Sequence, residues 1–344
     1  MTRLSTVSAQ ESSSVAAFGT VFAEQMGICA FKGGEWEAAK LVATGPIPMH
    51  PAAHVLHYGS ACFEGLKAYR WADGTTRMFR MDMHVKRMIQ SAQKLYLPVP
   101  GADLLGEMIR ETTAAARAVV PQRPGALYLR PTLIGTQPNI GAAASPSDEA
   151  LLFILASPVG DYFGGGDHAT RVLVADDLMR TTPEFGMVKS GANYVQALGH
   201  AMRAKEKHVI DTVLFAPGGL VQETGASNFL LINDDEIRTA PLDSTYLHGV
   251  TRDSVLKLGA HLGYRIVESP ISVSEMLEWT ANGGEAALSG TAAVLAGVGT
   301  MIYKEKEHHV CNGGVGPNTS RLRNALTDIL MGDADDPFGW LESI

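Results

Sequence analysis

The sequence contains little cysteine, no basic run and no long apolar run. Its three cysteines, Cys29, Cys62 and Cys311, are scattered without a CxxC spacing, which excludes a disulfide framework and a cysteine-rich zinc site. Lysine and arginine number 28 against 36 acidic residues and form no cluster, so a nucleic-acid-binding surface is not expected. No apolar stretch approaches the length of a membrane span. Small-molecule chemistry is therefore the expected activity.

The composition is that of a globular protein with two domains. The chain has 344 residues, of which 46% are hydrophobic and 19% charged, with a net charge of -8. The first residues lack the apolar core of a signal peptide, and a cytoplasmic location is expected. Three consecutive glycines at 164–166 separate two predicted strands and mark a boundary. The predicted parts are a mobile tail (1–14), an N-terminal domain (15–157), an interdomain loop (158–169) and a larger C-terminal domain (170–344).

Two segments of the N-terminal half place charged side chains near apolar ones. Asp82 can cap a helix that runs to about Leu95, and Arg87 falls just off its apolar stripe. There the guanidinium would pair with a surface carboxylate or reach over the helix edge to an anion. In the predicted strand 126–134, Tyr128 and Arg130 point the same way by the period of two. A structural acidic neighbour or a carboxylate substrate would satisfy both groups.

A lysine lies among small residues in the stretch from Gly186 to Tyr194. Lys189 is followed by Gly191 and Ala192, which would leave room for a flat molecule beside the amine. A lysine that forms a Schiff base has to be partly desolvated, so that its pKa falls and a free amine exists near neutral pH. A solvated lysine in a glycine-containing turn would have the same local sequence. Lys189 is therefore a candidate nucleophile that needs support from elsewhere in the chain.

Three features of the C-terminal half supply that support. Glu223 is a carboxylate in an otherwise apolar segment, and it requires a cationic partner or a protonated ring nitrogen. Gly249-Val250-Thr251 opens a predicted helix whose free N–H groups could bind phosphate, although a plain threonine cap would look alike. The small-residue turn 289–293 could form a second N–H nest. Neither a dinucleotide fingerprint nor a P-loop is present, and His308-His309 is interpreted as a solvated edge, not a metal site.

Together these features match the requirements of pyridoxal 5'-phosphate. That cofactor needs a reactive lysine, a carboxylate on its pyridine nitrogen, a helix N-terminus for its phosphate and an arginine. The carboxylate keeps the pyridine protonated, and the lysine moves protons between the substrate α carbon and the cofactor.

Over about 18–331 the chain resembles the branched-chain amino-acid aminotransferases of the fold-type IV pyridoxal phosphate class. The motifs that carry the resemblance are Leu56-His57-Tyr58, Phe63-Glu64-Gly65-Leu66-Lys67-Ala68-Tyr69-Arg70, Tyr128-Leu129-Arg130-Pro131, Lys189 with Gly191-Ala192-Asn193-Tyr194, Glu223-Thr224-Gly225 with Asn228, Gly249-Val250-Thr251-Arg252 and Ser289-Gly290-Thr291-Ala292. The resemblance implies an α+β fold of two α/β domains, joined by a glycine-rich loop, with the cofactor cleft between them.

The resemblance also implies a role for each matching residue. Lys189 would form the Schiff base, Tyr194 would donate to the cofactor's phenolic oxygen, and Glu223 would bond its pyridine nitrogen. The residues expected to hold its ring and phosphate are Leu247, Arg87, Gly249, Val250, Thr251 and Thr291. Those expected on the substrate side are Phe63, Tyr128, Arg130, Tyr162, Ala226, Thr291 and Ala292, with Tyr58 from the other subunit of a homodimer.

The implied reaction moves the amino group of L-leucine, L-isoleucine or L-valine to 2-oxoglutarate by a ping-pong mechanism through an aldimine of Lys189, giving branched-chain 2-oxo acids and L-glutamate. The chain departs from the mammalian members at 293–296, where it lacks their CxxC, and at Ala226, where a threonine is common. A D-amino-acid transaminase, an (R)-amine transaminase or an aminodeoxychorismate lyase would share Lys189 and Glu223. A noncatalytic cofactor-binding protein is a further alternative. An α/β reductase is a third, but this chain lacks the glycine fingerprint that such an enzyme would carry.

Overall fold

The structure is a computed structural model that describes residues 5–6, 18–160 and 168–344. The chain divides into two compact units. Unit 1 comprises 1–164, 188–191 and 329–344, and unit 2 comprises 165–187 and 192–328. The sequence-based boundaries differ from this division, because the short segment around Lys189 and the last sixteen residues both belong with the N-terminal part.

Unit 1 is built on a mixed set of short and long strands with three helices among its described residues. Its elements are β1 (Ser5–Thr6), β2 (Val21–Phe22), β3 (Gln25–Lys32), β4 (Glu35–Trp36), β5 (Lys40–Ala43), α1 (His54–Tyr58), β6 (Ala61–Phe63), β7 (Leu66–Arg70), β8 (Thr76–Phe79), α2 (Met81–Lys94), α3 (Ala102–Ala115), β9 (Ala126–Gly135), β10 (Ala150–Val159) and the C-terminal strand β19 (Leu341–Ser343).

The described strands of unit 1, apart from the β1–β2 pair, form one antiparallel sheet in the order β19-β8-β7-β9-β10-β3-β4. Strand β5 pairs with β3, and β6 pairs with β9. Helices α2 and α3 cover one face of this sheet, and Met88, Leu105 and Ile109 are fully buried between the helices and the sheet. The predicted apolar stripe of α2 thus faces the core. Asp82 does not cap this helix as predicted, because the helix begins at Met81 and Asp82 lies within its first turn.

Unit 2 contains a second sheet, which has both parallel and antiparallel strand pairs. Its elements are β11 (Thr170–Ala175), α4 (Gly191–Lys207, of which Gly191 belongs to unit 1), β12 (Thr212–Phe215), β13 (Asn228–Ile232), β14 (Glu236–Thr239), α5 (Val250–His261), β15 (Arg265–Glu268), α6 (Val273–Ala281), β16 (Glu285–Gly290), β17 (Val294–Tyr303), β18 (Lys306–His309) and α7 (Pro317–Met331, whose last turn belongs to unit 1).

The strand order in unit 2 is β12-β11-β17-β16-β13-β14-β15, with β18 paired to β17. Strand β13 pairs antiparallel with β16, which places Asn228 opposite Ser289. The alternation of sheet and helix agrees with the predicted α+β fold. No helix in the described part of the chain is long and apolar enough to cross a membrane.

Candidate active site

The main chain of Lys189 is held in unit 1 from two sides. Its N–H donates to Ser91 Oγ at 3.1 Å, and its carbonyl accepts from the N–H of Phe63 at 3.0 Å. The Lys189 Nζ atom lies 5.2 Å from the Phe63 ring centroid, and the side chain is partly buried. A helix and a strand end therefore fix the base of this side chain, as a reactive lysine requires. The sequence contained no signal that would single out Ser91.

Arg87 lies beside the same segment in a buried cluster that the sequence did not predict. Arg87 Nε donates to Glu64 Oε1 at 2.6 Å, and Nη2 donates to Oε2 at 2.8 Å. His84 Nδ1 is 2.7 Å from Glu64 Oε2. Exposed fractions are 1% for Glu64, 2% for His84 and 7% for Arg87. Arg87 thus pairs with a buried carboxylate, whereas its sequence position predicted a surface carboxylate or an external anion.

Burial and neighbouring charges set the protonation of Glu64 and His84. Burial would raise the pKa of Glu64, but Arg87 and His84 outweigh burial and hold that pKa well below its usual range. Burial lowers the pKa of His84, Glu64 opposes this effect, and the positive charges of Arg87 and Lys189 add to it. Glu64 is therefore ionised and His84 neutral near pH 7. Since a carboxylate only accepts, Nδ1 of His84 is assigned as the donor.

Aromatic and cationic side chains converge at β6 and β9. Arg130 Nη2 donates to Tyr128 Oη at 2.8 Å, so the two share a face as predicted. The Arg130 guanidinium carbon lies 4.7 Å from the Phe63 ring centroid, and Phe18 packs edge-on to Tyr128 at 4.9 Å. A Cβ at Gly65 would lie 1.9 Å from Tyr128 Oη, which explains why this position is glycine. Phe63, Tyr128 and Arg130 are therefore brought together.

Tyr58 and Tyr162 were also predicted on the substrate side. Tyr58 lies at the end of α1, and its hydroxyl donates to the carbonyl of Ile140. Tyr162 lies outside the described residues.

Glu223 is the centre of a second cluster, in unit 2. Its carboxylate accepts from Asn228 Nδ2 and from the N–H of Leu247, both at 3.0 Å, and forms an ion pair with Arg180 Nε at 2.7 Å. Glu223 and Arg180 are both buried. The prediction that this carboxylate is buried and requires a cation is confirmed, and the cation is Arg180. The sequence predicted the need for such a partner without identifying it.

The two predicted anion-binding turns also lie in unit 2. Helix α5 begins at Val250, with Gly249 as N-cap and no side-chain cap, so the threonine-cap alternative is wrong. A Cβ at Gly249 would lie 2.0 Å from Asn228 Oδ1, so only glycine allows this close approach. In the second turn, Ser289 Oγ is buried and has no hydrogen-bond partner within the described ranges. Thr291 and Ala292 follow it in the turn and are partly exposed.

Tyr194 and Ala226 line one cavity of about 270 Å³ in unit 2. Its other lining residues include Gly225, Phe215 and Leu198. A larger cavity of about 600 Å³ in the same unit is lined by residues such as Glu275, Trp279 and Asn318, and by none of the predicted site residues. In the described part of the chain, no group of three or more His, Cys, Asp and Glu side chains is arranged to hold a metal ion.

The donor set of the described residues fits a phosphorylated pyridine cofactor. Glu223 supplies a buried carboxylate, which suits a protonated ring nitrogen. The uncapped start of α5 and the unpartnered Ser289 hydroxyl suit phosphate oxygens. Lys189 supplies the amine, held in place through its main chain. Each of these groups is of the kind that pyridoxal phosphate enzymes use.

Comparison with known proteins agrees with this class. Residues 61–299 match the family model described as amino-transferase class IV. A probable branched-chain-amino-acid aminotransferase of Streptomyces coelicolor is 35% identical over 336 residues, covering 95% of this chain and 92% of the relative. The crystal structure of the Escherichia coli branched-chain amino acid aminotransferase has a TM-score of 0.76 and 26% identity, covering 92% of this chain and 98% of that one.

A second similar crystal structure contains a form of the cofactor. It is the T.th. branched-chain amino acid aminotransferase with pyridoxamine 5'-phosphate, with a TM-score of 0.76 and 26% identity over 92% of this chain and 97% of that one. The chain belongs to the class IV aminotransferases and, within them, to the branched-chain-amino-acid aminotransferase family.

Proposed function

We propose that this chain is a pyridoxal phosphate-dependent transaminase that moves the amino group of L-leucine, L-isoleucine or L-valine to 2-oxoglutarate. The observation that carries the proposal is the Lys189 segment, whose main chain is fixed by Ser91 and Phe63 in a chain of this family. A lysine whose main chain is held on both sides has a fixed starting point from which its amine can form a Schiff base.

Each residue that the family resemblance singles out is assigned its own role toward the cofactor. Lys189 would hold the cofactor through its amine and would move a proton at the α carbon of the substrate. Glu223 would accept a hydrogen bond from the protonated pyridine nitrogen, and Arg180 supplies a cation beside that carboxylate. Tyr194 would donate to the phenolic oxygen, and Leu247 would pack on the ring. When bound, the cofactor supplies an electron sink for the pair that the α carbon releases.

The phosphate is assigned to two sets of donors. Arg87 provides a guanidinium, and the first turn of α5 provides the N–H groups of Val250 and Thr251 at its positive end. Gly249 allows the approach, and Thr291 adds an N–H from the second turn. All are uncharged or cationic, as a phosphate dianion requires.

The substrate side combines apolar and cationic groups. Phe63 and Tyr128 suit a branched aliphatic side chain, while Arg130 suits the side-chain carboxylate of glutamate. Ala226, Ala292 and Tyr162 are assigned to the same side. Because the two amino acids bind one site in turn, the kinetics are ping-pong. Tyr58 completes the site in a homodimer, contributed by the second copy.

Half-reaction spectroscopy tests the function. The holoenzyme is mixed with single amino acids, and the visible absorbance of the lysine-bound cofactor is followed. L-Leucine, L-isoleucine, L-valine and L-glutamate should each bleach it, and D-alanine should not. We expect Lys189→Ala to lower turnover about a thousandfold or more, because it removes the group assigned both to hold the cofactor and to move the proton.

The matched control is Lys257→Ala, an exposed lysine of α5 that pairs with Asp253. It should retain wild-type turnover. Full activity of folded Lys189→Ala would exclude the assigned role. Bleaching by D-alanine in preference to L-leucine would place the chain with the D-amino-acid transaminases instead.

A further inference from the structure

One face of α2 carries buried polar groups at helical spacing. His84, Arg87 and Ser91 lie at i, i+3 and i+7, and all three are buried. Ser91 accepts from the main chain of Lys189, whereas His84 and Arg87 both contact Glu64, which follows directly after β6. This face therefore links the lysine, the arginine and one carboxylate within unit 1.

We propose that Glu64 is a positioning residue, which orients the guanidinium of Arg87 for the cofactor phosphate. The inference rests on the proposed function, in which Arg87 binds that phosphate. Glu64 contacts neither the cofactor nor the substrate in this assignment, and acts through Arg87 alone.

The geometry of the pair supports this role. Glu64 engages Nε and Nη2 of Arg87 with its two oxygens, at 2.6 and 2.8 Å, which fixes both the plane and the rotation of the guanidinium. Its Oε2 atom is itself held by His84 Nδ1 at 2.7 Å and by the N–H of Gly65 at 3.1 Å. Holding the plane of the guanidinium also fixes the directions of its other N–H groups, and phosphate recognition by arginine depends on such a fixed plane.

The charges of the cluster distinguish positioning from a purely electrostatic role. Glu64 is negative, Arg87 positive and His84 neutral, so the trio carries no net charge to attract an anion. Moreover, a negative charge beside a phosphate site repels phosphate. If Glu64 acted only through its charge, removing that charge would strengthen phosphate binding. Positioning predicts the opposite sign, and the two explanations are therefore separable.

The contribution of the phosphate group is measured by an affinity ratio, defined as the affinity for pyridoxal 5'-phosphate divided by the affinity for pyridoxal. Dissociation constants for pyridoxal 5'-phosphate and for pyridoxal, which lacks the phosphate, are measured on the full chain after removal of bound cofactor. We expect Glu64→Gln to weaken pyridoxal phosphate about tenfold while pyridoxal changes little, because one arm of the charge-assisted pair becomes a donor facing a donor. Glu64→Asp keeps the charge, but its side chain is too short for both contacts with Arg87. It should therefore weaken the binding of pyridoxal phosphate by a similar factor.

The matched control is Glu236→Gln in unit 2. Glu236 is also a buried carboxylate between arginines, accepting from Arg238 and Arg265. It should lower thermal stability without changing the affinity ratio. Combining Glu64→Gln with Arg87→Met should give no further loss beyond Arg87→Met alone, since Glu64 acts through that side chain.

Each outcome decides a different statement. An unchanged or increased affinity ratio of pyridoxal phosphate to pyridoxal in Glu64→Gln overturns the positioning role. So does a double variant in which the affinity losses of the two single variants add. If Arg87→Met itself leaves the ratio unchanged, the assignment of Arg87 to the phosphate fails and the inference with it. If pyridoxal phosphate binds with the expected ratios but L-leucine is not converted, the proposed substrate fails while the role of Glu64 stands.

Discussion

Arg130 is a cation among aromatic side chains, and in the proposed function it distinguishes glutamate from the branched-chain substrates. Its guanidinium carbon lies 4.7 Å from the Phe63 ring centroid and 5.2 Å from that of Tyr128. A branched aliphatic side chain needs only the apolar surface, whereas glutamate brings a second carboxylate that must be neutralised. The same pocket can accept both only if a cation lies at its edge.

We therefore expect Arg130→Ala to slow the glutamate half-reaction roughly 10- to 100-fold, the loss of one charge-assisted hydrogen bond. The leucine half-reaction should change less than about threefold, since no charge is lost from its contacts. Single-turnover kinetics with each amino acid measure both effects.

Tyr128→Phe is the control, because it removes the hydroxyl that accepts from Arg130 and keeps the ring. Tyr128→Phe should slow the glutamate half-reaction much less than Arg130→Ala does. Equal slowing of both half-reactions in Arg130→Ala would rule out a specific role in glutamate recognition.

At the scale of the element, the beginning of α5 depends on a glycine. The Asn228 side chain packs against Gly249 and donates both to Glu223 Oε2 and to the Leu247 carbonyl. A methyl group at position 249 would collide with Asn228 Oδ1, so both hydrogen bonds would be displaced. The helix start and the carboxylate are thus coupled through one amide.

Gly249→Ala should therefore weaken pyridoxal phosphate binding roughly 10- to 30-fold, because two hydrogen bonds of about 1 kcal/mol each would be displaced. Gly101→Ala provides the comparison, because Gly101 is also the N-cap of a helix, α3, and a Cβ there would meet nothing within 4 Å. Absorbance titration of both variants gives the affinities. The explanation fails if the two substitutions have the same effect.

Helix α2 illustrates what the periodicity of an element can and cannot predict. Its apolar stripe was correctly predicted from the spacing of Val85, Met88 and Ala92. The adjacent polar face of His84, Arg87 and Ser91 is buried as well, and periodicity gave no reason to expect that. Burial of a polar face depends on partners from other elements, here Glu64 and the main chain of Lys189.

At the scale of the whole molecule, the C-terminal residues complete the sheet of unit 1. Strand β19 pairs antiparallel with β8. Trp340 is buried, stacks on Phe338 at 4.1 Å and contacts Phe79 edge-on at 5.8 Å. Its carbonyl accepts from the N–H of Arg80, whose guanidinium lies over the indole. The end of the chain therefore stabilises a strand far from it in the sequence.

Trp340→Ala should lower the free energy of unfolding by about 3 kcal/mol, through lost burial and a cavity beside Phe79. Native-state hydrogen exchange would show the loss at the amides of β8. Because β13 lies in unit 2, its local opening should change less. Equal loss of protection in both strands would show instead that the units open together.

The sequence by itself determined the elements that depend on local patterns. Side-chain periodicity predicted α2 and the strand around 126–134, because side-chain spacing follows directly from helix and strand geometry. It also indicated that a helix opens at Gly249 and that the carboxylate of Glu223 needs a cation, because an unpaired buried charge is too costly.

The tertiary structure alone decided which distant groups meet. Arg180 rather than another arginine pairs with Glu223, and Glu64 rather than a surface carboxylate pairs with Arg87. The segment 188–191 and the C-terminal strand both join unit 1. The 28 lysines and arginines and 36 acidic residues offer many pairs of equal chemistry. Strand register and helix packing select among them, because only contacts fixed by the fold bring two side chains within hydrogen-bonding distance.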